Sequence, residues 1–434
     1  MPGDRVEAPR RTGGGRGLRL AIVSPLPPSP TGIADYTLDV ARSLAKDHAI
    51  DLFHDSDEVS ASFGAPAFRI HDLPARVASK AYDVVIYQMG NAPAHDFIYE
   101  WMERIPGAVV LHDLVLHHSC ARRYLESPDS LAYAADPSSR EKKGKAEKQH
   151  QSYREAIEAV YPGQGERLKD AQLNSSGDLL PYAFPLFEPA LAGALAAGAH
   201  NSFMVEAIRA ARPDLPCVEL AMPTERAVVE PGRLAALRAR LGLAETDLVV
   251  GCFGLLTREK RIETVARAVA RIAEIHQGVR LLLAGPVADP DWLTSVLGRA
   301  SMLPRTVVAG RLDHDDFLAA MALTDVVVHL RYPTARETSA ALLRVMAQGR
   351  PVVISDIANQ SGIPGDAVRR VDLCDEEGDL TRAIDWMCRH PEAARAMGER
   401  AARFARSTHA PASTRESYGR LLKSSAPHYS SFLP

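Results

Sequence analysis

The stretch from Asp325 to Asp356, DVVVHLRYPTARETSAALLRVMAQGRPVVISD, constrains the fold of this 434-residue chain more than any other. Asp325 to Leu330 is a β-branched apolar run, the pattern of a parallel strand covered on both faces. A polar loop, Arg331 to Glu337, follows. Thr338 or Ser339 can then N-cap a helix whose Leu342, Leu343, Met346 and Ala347 form one apolar stripe. Gly349 suits the C′ position, Pro351 prevents continuation, and Pro351 to Ile354 opens the next strand. This is a β-loop-α-β unit whose helix N-terminus opens beside a strand's carboxyl end, where free N–H groups and the helix dipole attract anions. An ordinary crossover unit explains the same pattern, so the stretch alone names no ligand.

The same rhythm runs through the rest of the chain. Strands are expected at Leu18–Ser24, Ala49–Phe53, Asp83–Tyr87 and Gly107–Leu111. They break into polar residues at PLPPSPTG, His54-Asp55, Gln88–Asn91 and His112-Asp113. The carboxyl ends of such strands are where doubly wound sheets bind ligands. Gly32 opens a helix from Ile33 to Ala45, and without a Cβ it permits a close approach, although a plain turn glycine reads the same way. Residues 136–180 interrupt the alternation with a charged, helix-prone insertion, most simply a solvated face. Phe187 to Ala199 reads as an Ala/Leu helix leading to a short buried strand and His200, and Val218–Thr224 as a hinge. The alternation resumes at Leu248–Gly254, Ile262–His276, Val279–Ala284 and Thr306–Ala309. It ends with a strand at Ala367–Val371 and helices over Glu376–Arg406 and Ser413–Ser424. The expected organisation is a disordered arm (1–17), a first domain (18–221), a second (222–410) and a terminal helix and tail (411–434).

With 46% apolar residues the chain can fill two cores, and a net charge of −3 calls for no nucleic-acid partner. Five cysteines without a CxxC pair suit a reducing compartment and no structural zinc. No apolar run is long enough to span a bilayer, and the Arg/Gly/Pro-rich start has no hydrophobic segment. A cytoplasmic location follows as the expectation, with peripheral contact at the inner membrane face left open. A nicotinamide dehydrogenase is disfavoured, because no GxGxxG follows the first strand. The pairs Asp55-Asp57 and Asp289-Asp291 fall in loops, where turn chemistry explains them better than a metal does.

Five segments, in order, carry a resemblance: PPSPTGIADYT (27–37), VVLHDLVLHH (109–118), FGLLTREKRIE (253–263), LLLAGP (281–286) and LRYPTARETSAALLRVMAQGRPVVISD (330–356). Together they resemble the retaining glycosyltransferases of family four. The resemblance implies an α/β GT-B fold: two Rossmann-like, doubly wound domains facing a central cleft. The insertion would sit on the first domain, with a C-terminal helix crossing back to it. It also implies transfer of a sugar from a UDP- or GDP-linked donor to a hydroxyl of a glycan, lipid-linked or small-molecule acceptor, with no further cofactor and no metal.

By that resemblance Lys260 reaches the donor diphosphate, Glu337 holds the donor sugar, and His112 touches sugar hydroxyls. Thr338 and Ser339 offer backbone N–H groups to phosphate, Gly32 approaches the anomeric region, and Gly310 and Arg311 sit by the base. Gln88, Asn91 and Asp113 are expected on the acceptor side, Asp113 also as a candidate base. Two departures stand out. Arg344 occupies the place of the family's second glutamate, one residue early, and a guanidinium cannot accept a hydrogen bond from ribose. Leu255 replaces an arginine whose charge Arg258 or Arg331 could supply. On the helix, Arg344 can share a face with Glu337 and pair with it. These departures keep a rival open, a non-catalytic sugar-nucleotide-binding or scaffold protein. A sugar-phosphate synthase or an epimerase on the same fold is the other rival.

Overall fold

The computed structural model describes residues 17–60, 62–174, 179–224 and 226–430, so all but the last residue of the expected N-terminal arm lies outside it. The first sheet contains β1 (Arg19–Val23), β2 (Ala49–His54), β3 (Ala67–Arg69), β4 (Val84–Met89), β5 (Gly107–Leu111), β6 (Ala194–Ala199) and β7 (Cys217–Glu219). The second contains β8 (Leu248–Phe253), β9 (Val279–Ala284), β10 (Thr306–Gly310), β11 (Val326–His329), β12 (Val352–Ser355) and β13 (Arg369–Val371). Their orders are β3-β2-β1-β4-β5-β6-β7 and β10-β9-β8-β11-β12-β13, and the pairings are parallel throughout. Each order reverses direction once, between β1 and β4 and between β8 and β11. Connections leave in opposite directions at such points, and a crevice opens at the carboxyl ends.

The apolar runs become central strands because both faces are covered. Val84, Val85 and Ile86 of β4 are fully buried, as are Leu281, Leu282 and Leu283 of β9. The helix Pro411–Ser430 packs on the first sheet, not the second. Tyr418 on it bonds the Tyr36 hydroxyl at 2.8 Å and accepts from Gln88 Nε2 at 3.3 Å, while Leu421 and Leu422 are buried.

One segment departs from expectation. The helix foreseen over Phe187–Ala199 is a short 3-10 turn (Glu188–Leu191) followed by β6, and β7 takes the start of the expected hinge. Alanine's helix preference yields here to packing. A Cβ on Gly198 would lie 2.4 Å from Leu220 Cδ1, and one on Gly193 2.5 Å from the Met102 carbonyl, so the site demands a thin strand. The three-residue β3 gave no apolar run to read.

The insertion forms the helices Pro128–Ala135, Arg140–Val160 and Gly165–Leu173, which hang from the helix His117–Leu125 after β5. Tyr153, Ile157 and Leu168 meet Cys120 and Leu186 in a small core of their own. The charged residues face outward and pair along the helix, as Lys145 does with Glu141 at 2.9 Å. No helix among the described residues is long and apolar enough to cross a membrane.

The terminal helix should therefore support the first domain. Leu421→Ala is expected to destabilise the protein by about 3 kcal/mol, as burial loss and a residual cavity together cost in other cores. Urea unfolding of the variant checks this, and an unchanged midpoint would show that the helix is dispensable.

Candidate active site

Strand β8 ends at Phe253, and Gly254 turns the chain with φ +90°. The short turn Arg258–Lys260 then brings Lys260 back under the strand end, where its ammonium donates to the Phe253 carbonyl. A Cβ on Gly254 would come within 3.2 Å of Lys260 Nζ, so the glycine keeps this approach open. Lys260 is only 7% exposed, and burial, reinforced by the neighbouring Arg331 charge, lowers its pKa to about 7.

Strand β11 delivers the facing group. Arg331 Nε lies 2.9 Å from Glu337 Oε1, and Thr334 Oγ1 donates to Glu337 Oε2 at 2.9 Å. Asn359 Nδ2 holds the Glu337 carbonyl at 2.9 Å. Ser339, not Thr338, caps the helix Ala340–Ala347, accepting from Leu342 N at 3.3 Å. Thr338 is turned across the cleft to the first domain instead.

The first domain contributes a buried polar relay. His112 Nε2 meets Gln88 Oε1 at 2.8 Å, and Gln88 Nε2 donates to Tyr418. Because the Gln88 oxygen can only accept, His112 must donate through Nε2, leaving Nδ1 as an acceptor. Burial, with His200 and His95 nearby, holds His112 neutral well below the usual imidazole range. Its ring packs edge-on against Tyr36 at 4.6 Å. Asp113 Oδ2 accepts from Asn91 N at 2.8 Å. Burial and then the Glu337 charge across the cleft raise Asp113 to about 7.

The two halves are stitched together by the segment after β11. The Ala335 carbonyl accepts from Leu114 N at 2.8 Å and Val115 N at 3.2 Å. Asn201 Nδ2 donates to the Arg336 carbonyl at 3.0 Å and to Thr338 Oγ1 at 3.1 Å, and Thr338 donates to the His200 carbonyl at 2.9 Å. Tyr182, just past the insertion, packs edge-on against His118 and borders Glu259, Glu337 and Asp113.

Lys260, Arg331 and Glu337 thus meet where β8 and β11 end, with Thr338 and Ser339 following Glu337 and Asp113 across from it, while His112 packs against Tyr36 and His200 of the first domain. Gly32 starts its helix with nothing within 4 Å of where a Cβ would stand. Gly310, at φ +63°, bonds Gly285 N at 2.9 Å through its carbonyl, and Arg311 beside it is exposed. Gln88 and Asn91 are committed within the protein: Gln88 is fully buried, and Asn91 Oδ1 accepts from Ser119 N at 3.1 Å. Their polar ends position His112 and the loop after β4. Arg258 points outward to Asp289 at 3.3 Å and over Trp292, so Arg331 is the cation in the cleft. Arg344 does not pair with Glu337. Its guanidinium reaches Asp39 of the first domain at 3.8 Å, because Glu337 lies in the loop before the helix and Arg331 already occupies it. Asp289 caps the helix Pro290–Arg299, and Asp55 and Asp57 serve Arg69. Thr334, Asn201 and Tyr182 were missed. The His200–Ser202 polar break after a buried strand was the one available signal for Asn201.

Two parallel α/β sheets facing each other across such a cleft define the GT-B fold. Sucrose-phosphate synthase from Thermosynechococcus elongatus superposes with TM-score 0.63 at 16% identity, covering 93% of this chain and 98% of that one. HepE of Anabaena, in complex with UDP-glucose, gives 0.62 at 16%, covering 94% and 100%. At these identities the likeness concerns the fold. In sequence, residues 247–390 match the family model Glycosyl transferases group 1. The D-inositol 3-phosphate glycosyltransferase of Mycobacterium tuberculosis is 31% identical over 193 residues, which span 41% of this chain and 38% of that protein's length.

A buried carboxyl with a raised pKa has a readable signature. Asp113 binds its proton more tightly folded than unfolded, so its contribution to stability is full below pH 4 and lost as pH rises through about 7. Asp113→Asn keeps the acceptor for Asn91 N and cannot ionise. It should leave stability nearly unchanged near pH 4 and raise it by about 4 kcal/mol at pH 8. Denaturation at both pH values checks this; equal effects at both would refute the buried, protonated carboxyl.

Proposed function

We propose that this chain transfers a sugar from a nucleotide-sugar donor, UDP- or GDP-linked, to an acceptor hydroxyl, with retention of configuration and without a metal ion. One observation carries the reading: Lys260, Arg331 and Glu337 meet beside the Ser339-capped helix N-terminus, with Asp113 of the first domain facing Glu337. The group 1 match over 247–390, the relative named for glycosyl transfer to an inositol phosphate, and the fold neighbour holding UDP-glucose all support it.

In this reading Lys260, Arg331 and the helix N–H groups meet the donor diphosphate, where negative charge grows as the glycosyl–phosphate bond breaks. Glu337 accepts from hydroxyls of the donor sugar, and neutral His112 accepts from another through Nδ1. The acceptor oxygen attacks on the face the diphosphate leaves, and the departing phosphate oxygen takes its proton. Tyr182, His118 and Asp113 line the acceptor side. The acceptor is a glycan, a lipid-linked glycan or a small glycoside, met in the cytoplasm or at the membrane's inner face. A binding-only role is favoured by one observation: Arg344, turned to Asp39, leaves the ribose position without its carboxylate.

Nucleotide-sugar turnover assays after a melting-temperature screen with UDP, GDP and ADP separate the two. Stabilisation together with transfer or slow donor hydrolysis is expected; stabilisation without any turnover would leave only the binding role. EDTA should not abolish transfer, and rescue by Mn²⁺ would overturn the metal-free route. Lys260→Ala should lower kcat/KM about a hundredfold, as loss of a transition-state contact does. Arg344→Ala should cost about 1 kcal/mol or less, since its pair is long and half-exposed. Because Lys260 sits near pH 7 when the site is empty, a bound diphosphate should charge it. Calorimetry in buffers of different ionisation enthalpy is expected to find uptake of about one proton at pH 8 and little at pH 6, with the pH 8 uptake absent in Lys260→Ala.

A further inference from the structure

A cavity lies at the amino ends of the strands of the second sheet, the end opposite the cleft. It occupies about 590 Å³ and is walled by the first residues of β8 and β11, the turn after helix Ala340–Ala347, and one face of helix Pro391–Thr408. The volume is that of a small-molecule pocket. Five arginines line it: Arg226, Arg350, Arg395, Arg403 and Arg406. Only two carboxylates, Asp325 and Glu399, accompany them, and Asp325 Oδ2 already accepts from Val249 N at 2.8 Å.

None of the five is in an ion pair among the described residues, whereas Arg400 on the same helix holds Asp366 at 3.2 Å and Arg389 just before it holds Asp385 at 2.9 Å. Arg350 donates one N–H to the Thr324 carbonyl at 3.1 Å, yet its Nε is buried without a partner. The Nε2 of Gln348, two residues before it on the same wall, is also buried and unpartnered. Burial lowers the pKa of Arg350 against the opposing charge of Asp325, with smaller contributions in the same direction as burial from Arg226 and Arg395. An unpartnered buried donor is costly, and an acceptor entering the pocket would relieve two in one wall. The 18-residue helix Pro391–Thr408 begins here, with Pro391 and Ala394 in the lining, so its positive end faces the same space.

We propose that this pocket binds a small phosphate-bearing anion, at a site separate from the cleft. Guanidinium forks match phosphate oxygens in pairs, and several convergent forks suit a multiply charged group better than a single carboxylate. The concave shape suits a discrete ligand. A phosphate ester free in solution and a phospholipid headgroup share this chemistry.

Pyrophosphate titrated by calorimetry at constant ionic strength tests the site. Wild-type protein should bind it. The double variant Arg395→Gln/Arg403→Gln, both at exposed positions, should bind at least tenfold more weakly with an unchanged melting temperature. Glu399→Gln should bind at least as tightly as wild type, and Lys260→Ala, which weakens any binding at the cleft, should keep the component that the double variant loses. Sedimentation with phosphatidylglycerol vesicles identifies the source: vesicle binding lost in the double variant, without pyrophosphate binding by the wild type, assigns the site to a headgroup. Equal pyrophosphate and vesicle binding by wild type and double variant would refute the site. Complete loss of pyrophosphate binding in Lys260→Ala would place all of it in the cleft and refute the pocket as well.

Discussion

The cleft depends on how the segment Ala335–Thr338 is held. It belongs to the second domain by sequence, but three of its polar groups, the Ala335 and Arg336 carbonyls and the Thr338 hydroxyl, are satisfied by the first. The Ala335 carbonyl takes two backbone N–H groups, and Asn201 and Thr338 close three further bonds across the boundary. Buried backbone groups need partners, and here the partners lie on the other domain. Glu337 sits inside this docked stretch, so its orientation is set by both halves of the molecule.

The electrostatics follow from that closure. Lys260 and Arg331 are brought together with Glu337 as the one carboxylate directly paired there, and burial leaves the lysine half-inclined to lose its proton. On the facing wall Asp113 cannot share the space with Glu337 as a second full charge and retains its proton to about pH 7. Lys260 and Arg331 lie close enough for each charge to disfavour the other, which adds to burial in lowering the lysine's pKa. His112 stays neutral for the same reason of burial, and its tautomer is set by Gln88, which Tyr418 of the terminal helix orients in turn.

Arg344 stands where the resemblance implied a second glutamate. Its helix is in place, but the guanidinium bridges toward Asp39 near Arg42 and Lys46, in a basic recess between the domains. The position therefore contributes to domain contact, and any ribose held in the cleft must find its hydrogen-bond acceptors on backbone carbonyls or other side chains.

The sequence by itself determined the two doubly wound halves, because a run such as DVVVHL buried on both faces leaves no other reading. Lys260 and Glu337 were singled out by resemblance, and local pattern left Thr338 and Ser339 as alternative caps, between which the fold chose Ser339. Tertiary structure decided the rest. Residues Ala194–Ala199 became a strand because neighbouring backbone and Leu220 leave room for nothing thicker. Arg331 rather than Arg258 entered the cleft, since Asp289 and Trp292 draw the latter outward. Arg344 met Asp39, some three hundred residues away in the chain, and Thr338 met His200 across the domain boundary. The same holds for the five arginines of the far cavity, which come from three separate stretches of chain. Local pattern records which face of an element is apolar. Which charge meets which depends on distances between elements that periodicity does not encode, and only the packed domains supply them.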